Sequence, residues 1–164
     1  YPDQPDDQWL YLPAASRVKR IASQNKSGPF LGSEFAFEDM VLQDLEKFTY
    51  RLLGTESCGA DRCQRVERKP LDRFSGYSRQ EVLLETETLR VVRIDYFDRA
   101  ERPLKFLEVD DYALYEGRFW KPGRMRMENL QTGRSTELVW RDYRFATGLS
   151  AERDFSTNSL ARAR

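Results

Sequence analysis

Apolar and polar side chains alternate in short segments along most of the chain, and turn-forming residues separate the segments. A period of two is the pattern of an antiparallel sheet that has one face on a core and the other on water. Residues 9–12 and 17–21 read as a strand pair either side of Pro13. Residues 22–33 shift to Ser, Gln, Asn, Lys and Gly, with Gly28-Pro29 as punctuation, and read as a long surface loop of the kind that often carries function.

Ser33 precedes Phe37-Glu38-Asp39-Met40 and is placed to cap a short helical turn, within a stretch that mixes aromatic and acidic residues without alternation. Phe48, Tyr50 and Leu52 share one face of a strand that stops at Gly54, and its partner follows the cysteine turn through Val66. Gly76-Tyr77 introduces a strand through Val82 and Leu84, and Val92, Ile94 and Tyr96 alternate in the next. Asp98-Arg99-Ala100-Glu101 supplies a turn, after which Leu104 and Phe106 fall on one face. Beyond Glu116-Gly117 come Phe119-Trp120 and then a strand in which Met125 and Met127 alternate with charged residues. Thr132-Gly133 suits a tight hairpin turn into Leu138, Val139, Trp140 and Tyr143. The sheet should hold about eight strands. Ser156 can cap a C-terminal helix that carries Leu160 and ends on Arg162 and Arg164, where cations suit the helix dipole. No internal repeat and no linker divides residues 1–164, so they read as one mostly β domain.

A chain of 164 residues is long enough to bury a full core. Its 27 basic and 27 acidic residues cancel, which removes the global positive field that a nucleic-acid binder uses. The absence of histidine excludes a Ser-His-Asp triad and the commonest metal ligand. No apolar run approaches the ~18 residues that span a bilayer, and the acidic opening Tyr1-Pro2-Asp3-Gln4-Pro5-Asp6-Asp7 is unlike a signal sequence, so the chain as given reads as soluble. The two cysteines, Cys58 and Cys63, cannot build a four-ligand zinc site alone, which leaves a disulfide or two free thiols. A bridge across so short a loop would contribute about 2 kcal/mol on chain-entropy grounds and would point to an oxidising compartment.

Glu38-Asp39 is the most enzyme-like pair, because two carboxylates can divide acid and base roles, but adjacent acids seldom converge on one atom and more often cap or solvate. Ser33 and Ser78 lack a histidine to activate them. Gly28-Pro29-Phe30-Leu31-Gly32 lacks the spacing and the Lys-Ser/Thr of a phosphate loop. Arg17, Lys19, Arg20 and Lys26 form a basic run that suits either a charged edge strand or contact with an acidic partner or lipid headgroups. The 10 Phe, 8 Tyr and 3 Trp fill an ordinary core or, since one terminal helix cannot cover a whole sheet face, line a partly open apolar hollow. Adaptable groups such as Met125 and Met127 would suit an acyl chain there.

Asp7-Gln8-Trp9-Leu10-Tyr11-Leu12-Pro13, Arg17-Val18-Lys19-Arg20-Ile21 and Gly32-Ser33-Glu34-Phe35-Ala36-Phe37-Glu38-Asp39 begin an ordered series. Gly76-Tyr77-Ser78, Tyr96-Phe97-Asp98, Met125-Arg126-Met127-Glu128-Asn129, Thr132-Gly133-Arg134-Ser135-Thr136 and Phe155-Ser156-Thr157-Asn158-Ser159-Leu160 complete it. The series resembles the bacterial outer-membrane lipoprotein-sorting protein family, the LolA-like group. The motifs are specific as a set and weak singly. The resemblance spans the chain but only about the C-terminal two-thirds of a typical member, whose signal peptide, N-terminal helix and first strands come before the matching part.

The resemblance implies a curved antiparallel sheet forming an incomplete half barrel, with a short helical segment and a C-terminal helix, in a periplasmic protein. Such a protein carries lipoprotein acyl chains or free lipid toward the outer membrane, between an inner-membrane transporter and an outer-membrane acceptor. It is not an enzyme and needs no nucleotide, metal or other cofactor. On that reading Trp9, Tyr11, Phe48, Tyr50, Ile94, Tyr96, Phe106, Trp120, Met125 and Met127 line the lipid cavity. The rival reading is a periplasmic adaptor that docks on a lipid-exporting transporter or envelope complex through Arg17, Lys19 and Arg20 and an exposed sheet edge. A hydrolase acting through Glu38 and Asp39 is a third class, disfavoured by the missing histidine. Strands absent from the start would leave an unpaired edge, which predicts pairing with a second copy or with the family's N-terminal segment.

Overall fold

The computed structural model describes residues 8–12, 17–41 and 44–162. Two short strands, β1 (Gln8–Leu12) and β2 (Arg17–Ile21), pair as a separate hairpin. The main sheet is built from β3 (Phe48–Cys58), β4 (Asp61–Pro70), β5 (Tyr77–Glu85), β6 (Val91–Asp98), β7 (Pro103–Asp110), β10 (Arg124–Asn129) and β11 (Ser135–Val139). Between β7 and β10 a small hairpin is inserted, formed by β8 (Ala113–Tyr115) and β9 (Phe119–Lys121). Its turn has positive φ at both Glu116 and Gly117, the geometry whose twist matches two tightly joined strands. The main sheet runs in the order β11-β10-β7-β6-β5-β4-β3, antiparallel throughout. It is large and curved but not closed into a barrel.

Register stacks the side chains into rows across the sheet. One inward row passes through Tyr50, Arg68, Gln80, Tyr96, Lys105 and Asn129, and the next through Leu52, Val66, Val82, Ile94, Leu107 and Met127. Beyond them Val109, Met125 and Leu138 lie opposite one another. The core gathers here: Val82, Ile94, Leu107, Val109 and Met127 are buried with Tyr77, Tyr96 and Phe35. The outward face is a lattice of charge. Arg65 reaches Glu81 and Asp95 at 3.4 and 3.3 Å, Arg93 reaches Asp95 and Glu108, and Arg51 meets Glu67 at 3.1 Å. Opposite charges across strands stabilise a sheet by roughly 0.2–1 kcal/mol per pair and leave that face to water.

Four expectations about these elements need correction. The strand from Phe48 does not stop at Gly54, because the register slips between Leu52 and Gly54 and the strand continues past this bulge to Cys58. Phe106 does not face inward: in β7 the buried positions are Lys105, Leu107 and Val109, and the Arg93 guanidinium lies 3.9 Å from the outward Phe106 ring. The turn at Phe37–Met40 forms, but its start is capped by Asp39, whose Oδ2 accepts the Ala36 N–H at 2.7 Å, and not by Ser33, whose hydroxyl donates to the Phe30 carbonyl. The connection at Thr132-Gly133 is wider than a two-residue turn, since the closing amide and carbonyl belong to Asn129 and Arg134.

The chain ends in two short helices, α1 (Ala151–Asp154) and α2 (Thr157–Arg162). Ser156 caps α2 by accepting the Ser159 N–H at 3.1 Å, and α2 packs on the β1–β2 hairpin. Among the described residues no helix is long and apolar enough to cross a membrane.

Candidate functional site

The segment from Lys26 to Val41 crosses the inward face of the sheet as a strap. Its own backbone folds back on itself: the Glu38 N–H donates to the Lys26 carbonyl, the Phe37 N–H to Gly28, and the Phe30 N–H to Phe35. Phe35 at its tip is only 2% exposed and sits in the core beside Met127, which is wholly buried. At one end Glu34 accepts from Asn129 and pairs with Arg134 at 3.0 Å, while its N–H donates to the Thr136 hydroxyl. These bonds tie the tip to β10 and β11.

The other end is tied by the two carboxylates. Asp39 Oδ1 accepts the Tyr77 hydroxyl at 2.8 Å, and its Oδ2 accepts both the Ala36 N–H and the Lys105 ammonium at 2.7 Å. Lys105 also donates to the Glu34 carbonyl and lies near the faces of Tyr77 and Tyr96. Glu38 accepts the Ser75 hydroxyl and the Gly76 N–H at 2.7 and 2.8 Å. Burial outweighs these bonds and raises the Glu38 carboxyl above its usual pKa. Burial, then the nearby Asp39 charge, pushes the Tyr77 hydroxyl well above its ordinary value, so it remains a donor to Asp39. The pair Glu38-Asp39 is therefore saturated with donors and anchors the strap.

The strap covers part of the concavity. Beside it lies a cavity of about 760 Å³, within the span of roughly 300–1,000 Å³ usual for small-molecule sites. Its floor is Val82, Ile94, Leu107, Val109 and Met125, and the far wall is Tyr112, Phe119, Trp120 and Trp140. Phe35, Asp39, Met40, Tyr96 and Arg68 close the strap end. Exposed Leu89, Arg118 and Trp120 mark the mouth. Arg90 braces this mouth: its guanidinium bonds Glu85 at 2.7 Å and lies 4.4 Å from the Trp120 ring. Tyr112 donates to the Val91 carbonyl at 2.9 Å, and burial raises its hydroxyl to about 12.

Of the ten residues expected to line an apolar cavity, Ile94, Tyr96, Trp120 and Met125 do so. Met127 is buried beneath Phe35 in the core, Phe48 borders a smaller adjoining hollow, and Tyr50 is exposed on the edge strand β3. Trp9 and Tyr11 lie in the separate hairpin and Phe106 on the outward face, so none of the three reaches the cavity. The lining residues that the alternation missed are Val109, Tyr112, Trp140 and the inward-facing Arg68, and it also missed Lys105, buried against Asp39 of the strap. A sharper signal existed for Lys105, which stands in phase with Leu107 and Val109.

Arg17, Lys19 and Arg20 are exposed on β2, away from the cavity, with Arg20 over the Trp9 ring. Cys58 and Cys63 are joined as a disulfide across the tip of the β3–β4 hairpin, where Gly59 takes a positive φ. The Ser78 hydroxyl is buried and has no hydrogen-bond partner among the described residues. Among the described residues no cluster of three or more carboxylates and thiols is placed to hold a metal ion.

The chain has no match among curated proteins. A family model described as an uncharacterized protein matches residues 1–162. A solved outer-membrane lipoprotein-sorting protein domain from Vibrio parahaemolyticus is 45% identical, with a TM-score of 0.94, covering 97% of this chain and 67% of its own. A DUF1329 family protein from Desulfovibrio piger is 34% identical, with a TM-score of 0.89, covering 96% of this chain and 66% of its own. A LolA superfamily protein from Nitrosomonas europaea shares the fold at a TM-score of 0.68 and 20% identity, covering 94% of this chain and 68% of its own. The chain thus spans about two thirds of the length of each of these relatives. With the sheet, the strap and these likenesses in place, the chain belongs to the outer-membrane lipoprotein-sorting protein family and has a LolA-like fold.

Proposed function

We propose that this protein is a periplasmic carrier that holds acyl chains, of lipoproteins or of free lipid, in the apolar cavity of its inward face and releases them toward the outer membrane without catalysis. The observation that carries the reading is the cavity itself, about 760 Å³ of space over Ile94, Val109 and Met125 that the strap leaves unfilled. Magnitudes favour exchange over permanent capture. Ten buried methylenes give roughly 8 kcal/mol, and association with chain ordering takes back several kcal/mol. The remaining affinity is weak enough for cargo to leave for a tighter acceptor.

The partners that follow are an inner-membrane donor and an outer-membrane acceptor. The exposed Arg17, Lys19 and Arg20 suit docking against an acidic or lipid surface. Among the described residues β3 and β11 end the main sheet, and either edge suits pairing with a second copy or with the family's N-terminal segment. A fluorescent dodecanoyl probe should brighten on mixing with the protein, and Val91→Trp, which fills the cavity wall, should abolish the gain while circular dichroism stays unchanged. A probe signal equal in both proteins would refute the reading.

A further inference from the structure

Arg68 is the one cavity cation half-buried at the strap end. Its Nε donates to the Gln80 amide oxygen at 2.6 Å and its guanidinium lies 4.8 Å from the Phe48 ring. A guanidinium carries five N–H donors and stays charged at any physiological pH. Among the described residues no carboxylate pairs with Arg68, and no further hydrogen bond engages its terminal nitrogens. Asp39 is near enough to act on it electrostatically, but that carboxylate is already taken up by Lys105, Tyr77 and the Ala36 N–H.

The cavity as a whole leans the same way. Among the described residues its lining holds Arg68, Arg90, Arg118 and Lys121 against Asp39 as the single carboxylate. Arg90 is neutralised by Glu85, whereas Arg118 and Lys121 stand at the mouth, where water screens them. A half-buried, under-bonded guanidinium at the end of an apolar hollow selects an anion attached to a hydrocarbon. We propose that the cavity takes an acyl compound with a carboxylate or phosphate head and that Arg68 binds this head at the strap end, the chain lying over Ile94, Val109 and Met125 toward Trp120. This rests on the carrier reading and narrows it, because a lipoprotein's acylated cysteine offers no such head.

Calorimetric titration of the full chain with dodecanoate, dodecyl phosphate, monododecanoyl glycerol and dodecyltrimethylammonium, each below its micelle concentration, tests this. The anionic compounds should bind at least tenfold more tightly than the uncharged ester, and the cationic one should bind weakest. Arg68→Gln should bring the anions down to the level of the ester. The double variant Arg118→Gln, Lys121→Gln should keep the preference. The ratio of dodecanoate to dodecyl phosphate assigns the head to a free fatty acid or to a phospholipid. Equal binding of anionic and uncharged compounds by the unaltered protein would overturn the proposal while leaving the carrier reading intact, and this comparison does not depend on any variant folding. A preference that survives Arg68→Gln, or that vanishes with the mouth variant, would also overturn it. Failure of all four compounds to bind would sink both.

Discussion

Asp39 and Lys105, 66 positions apart in the chain, meet at 2.7 Å with side chains only 4% and 5% exposed. This contact joins the strap to the middle of the sheet. A buried pair of this kind does little for net stability against a well-packed apolar alternative, but losing one partner strands the other charge. Lys105→Met should therefore lower the unfolding free energy by about 3–5 kcal/mol in urea titration. A loss under about 1 kcal/mol would show that the strap is held elsewhere.

The strap also depends on a close approach at Gly76. A Cβ built there would stand 2.9 Å from Ser27 Cβ and 3.1 Å from Glu38 Oε1. Gly76→Ala should destabilise by roughly 1–3 kcal/mol, the range of an overpacked contact. Adding Ser27→Gly should recover much of the loss, since it removes the nearer atom. Thermal unfolding of the single and double variants reads this directly.

Much of this architecture is legible from alternation alone, since β5, β6 and β10 each present one apolar face and the sheet has no other way to bury it. Ile94, Tyr96 and Met125 follow from that rule, and Trp120 from its place beside Phe119. Arg68 and Lys105 break it, because a charged residue reads as outward and each is turned inward, Lys105 onto Asp39 of the strap and Arg68 onto Gln80 and the Phe48 ring. β7 shows the consequence: discounting Lys105 shifts the apolar phase by one residue and sends Phe106 to the wrong face. The strap is opaque for another reason. It is fixed by long-range side-chain bonds from Glu34, Glu38 and Asp39, which leave no period in the local sequence.

Acid should separate two carboxylates by sign. The Arg102 N–H, with help from Gln131, the Arg102 side chain and the Ala100 N–H, holds Asp98 at about 2, below its ordinary value. Its contribution is present above the ordinary aspartate pKa and is lost as pH falls through about 2. Glu38 is raised by burial, so its contribution is full below the ordinary glutamate pKa and fades as pH rises through the raised one. Unfolding titrations from pH 6 down to about 2 should show Asp98→Asn removing part of the acid-side loss. Glu38→Gln should remove part of the decline on the rising side. The opposite pairing of variants and slopes would contradict these assignments.

The Cys58–Cys63 bridge closes a short hairpin tip far from the cavity wall. Reduction should cost about 2 kcal/mol or less on chain-entropy grounds and leave uptake of an acyl probe unchanged. Loss of uptake on reduction would tie the hairpin tip to the cavity.

The carrier function requires hydrocarbon to occupy the space beside the strap. Organic extraction of the protein purified without detergent from its native compartment, followed by mass spectrometry, should yield acyl lipid near one molecule per chain, and markedly less from Val91→Trp. Protein that yields no lipid, or equal amounts from both forms, would contradict it.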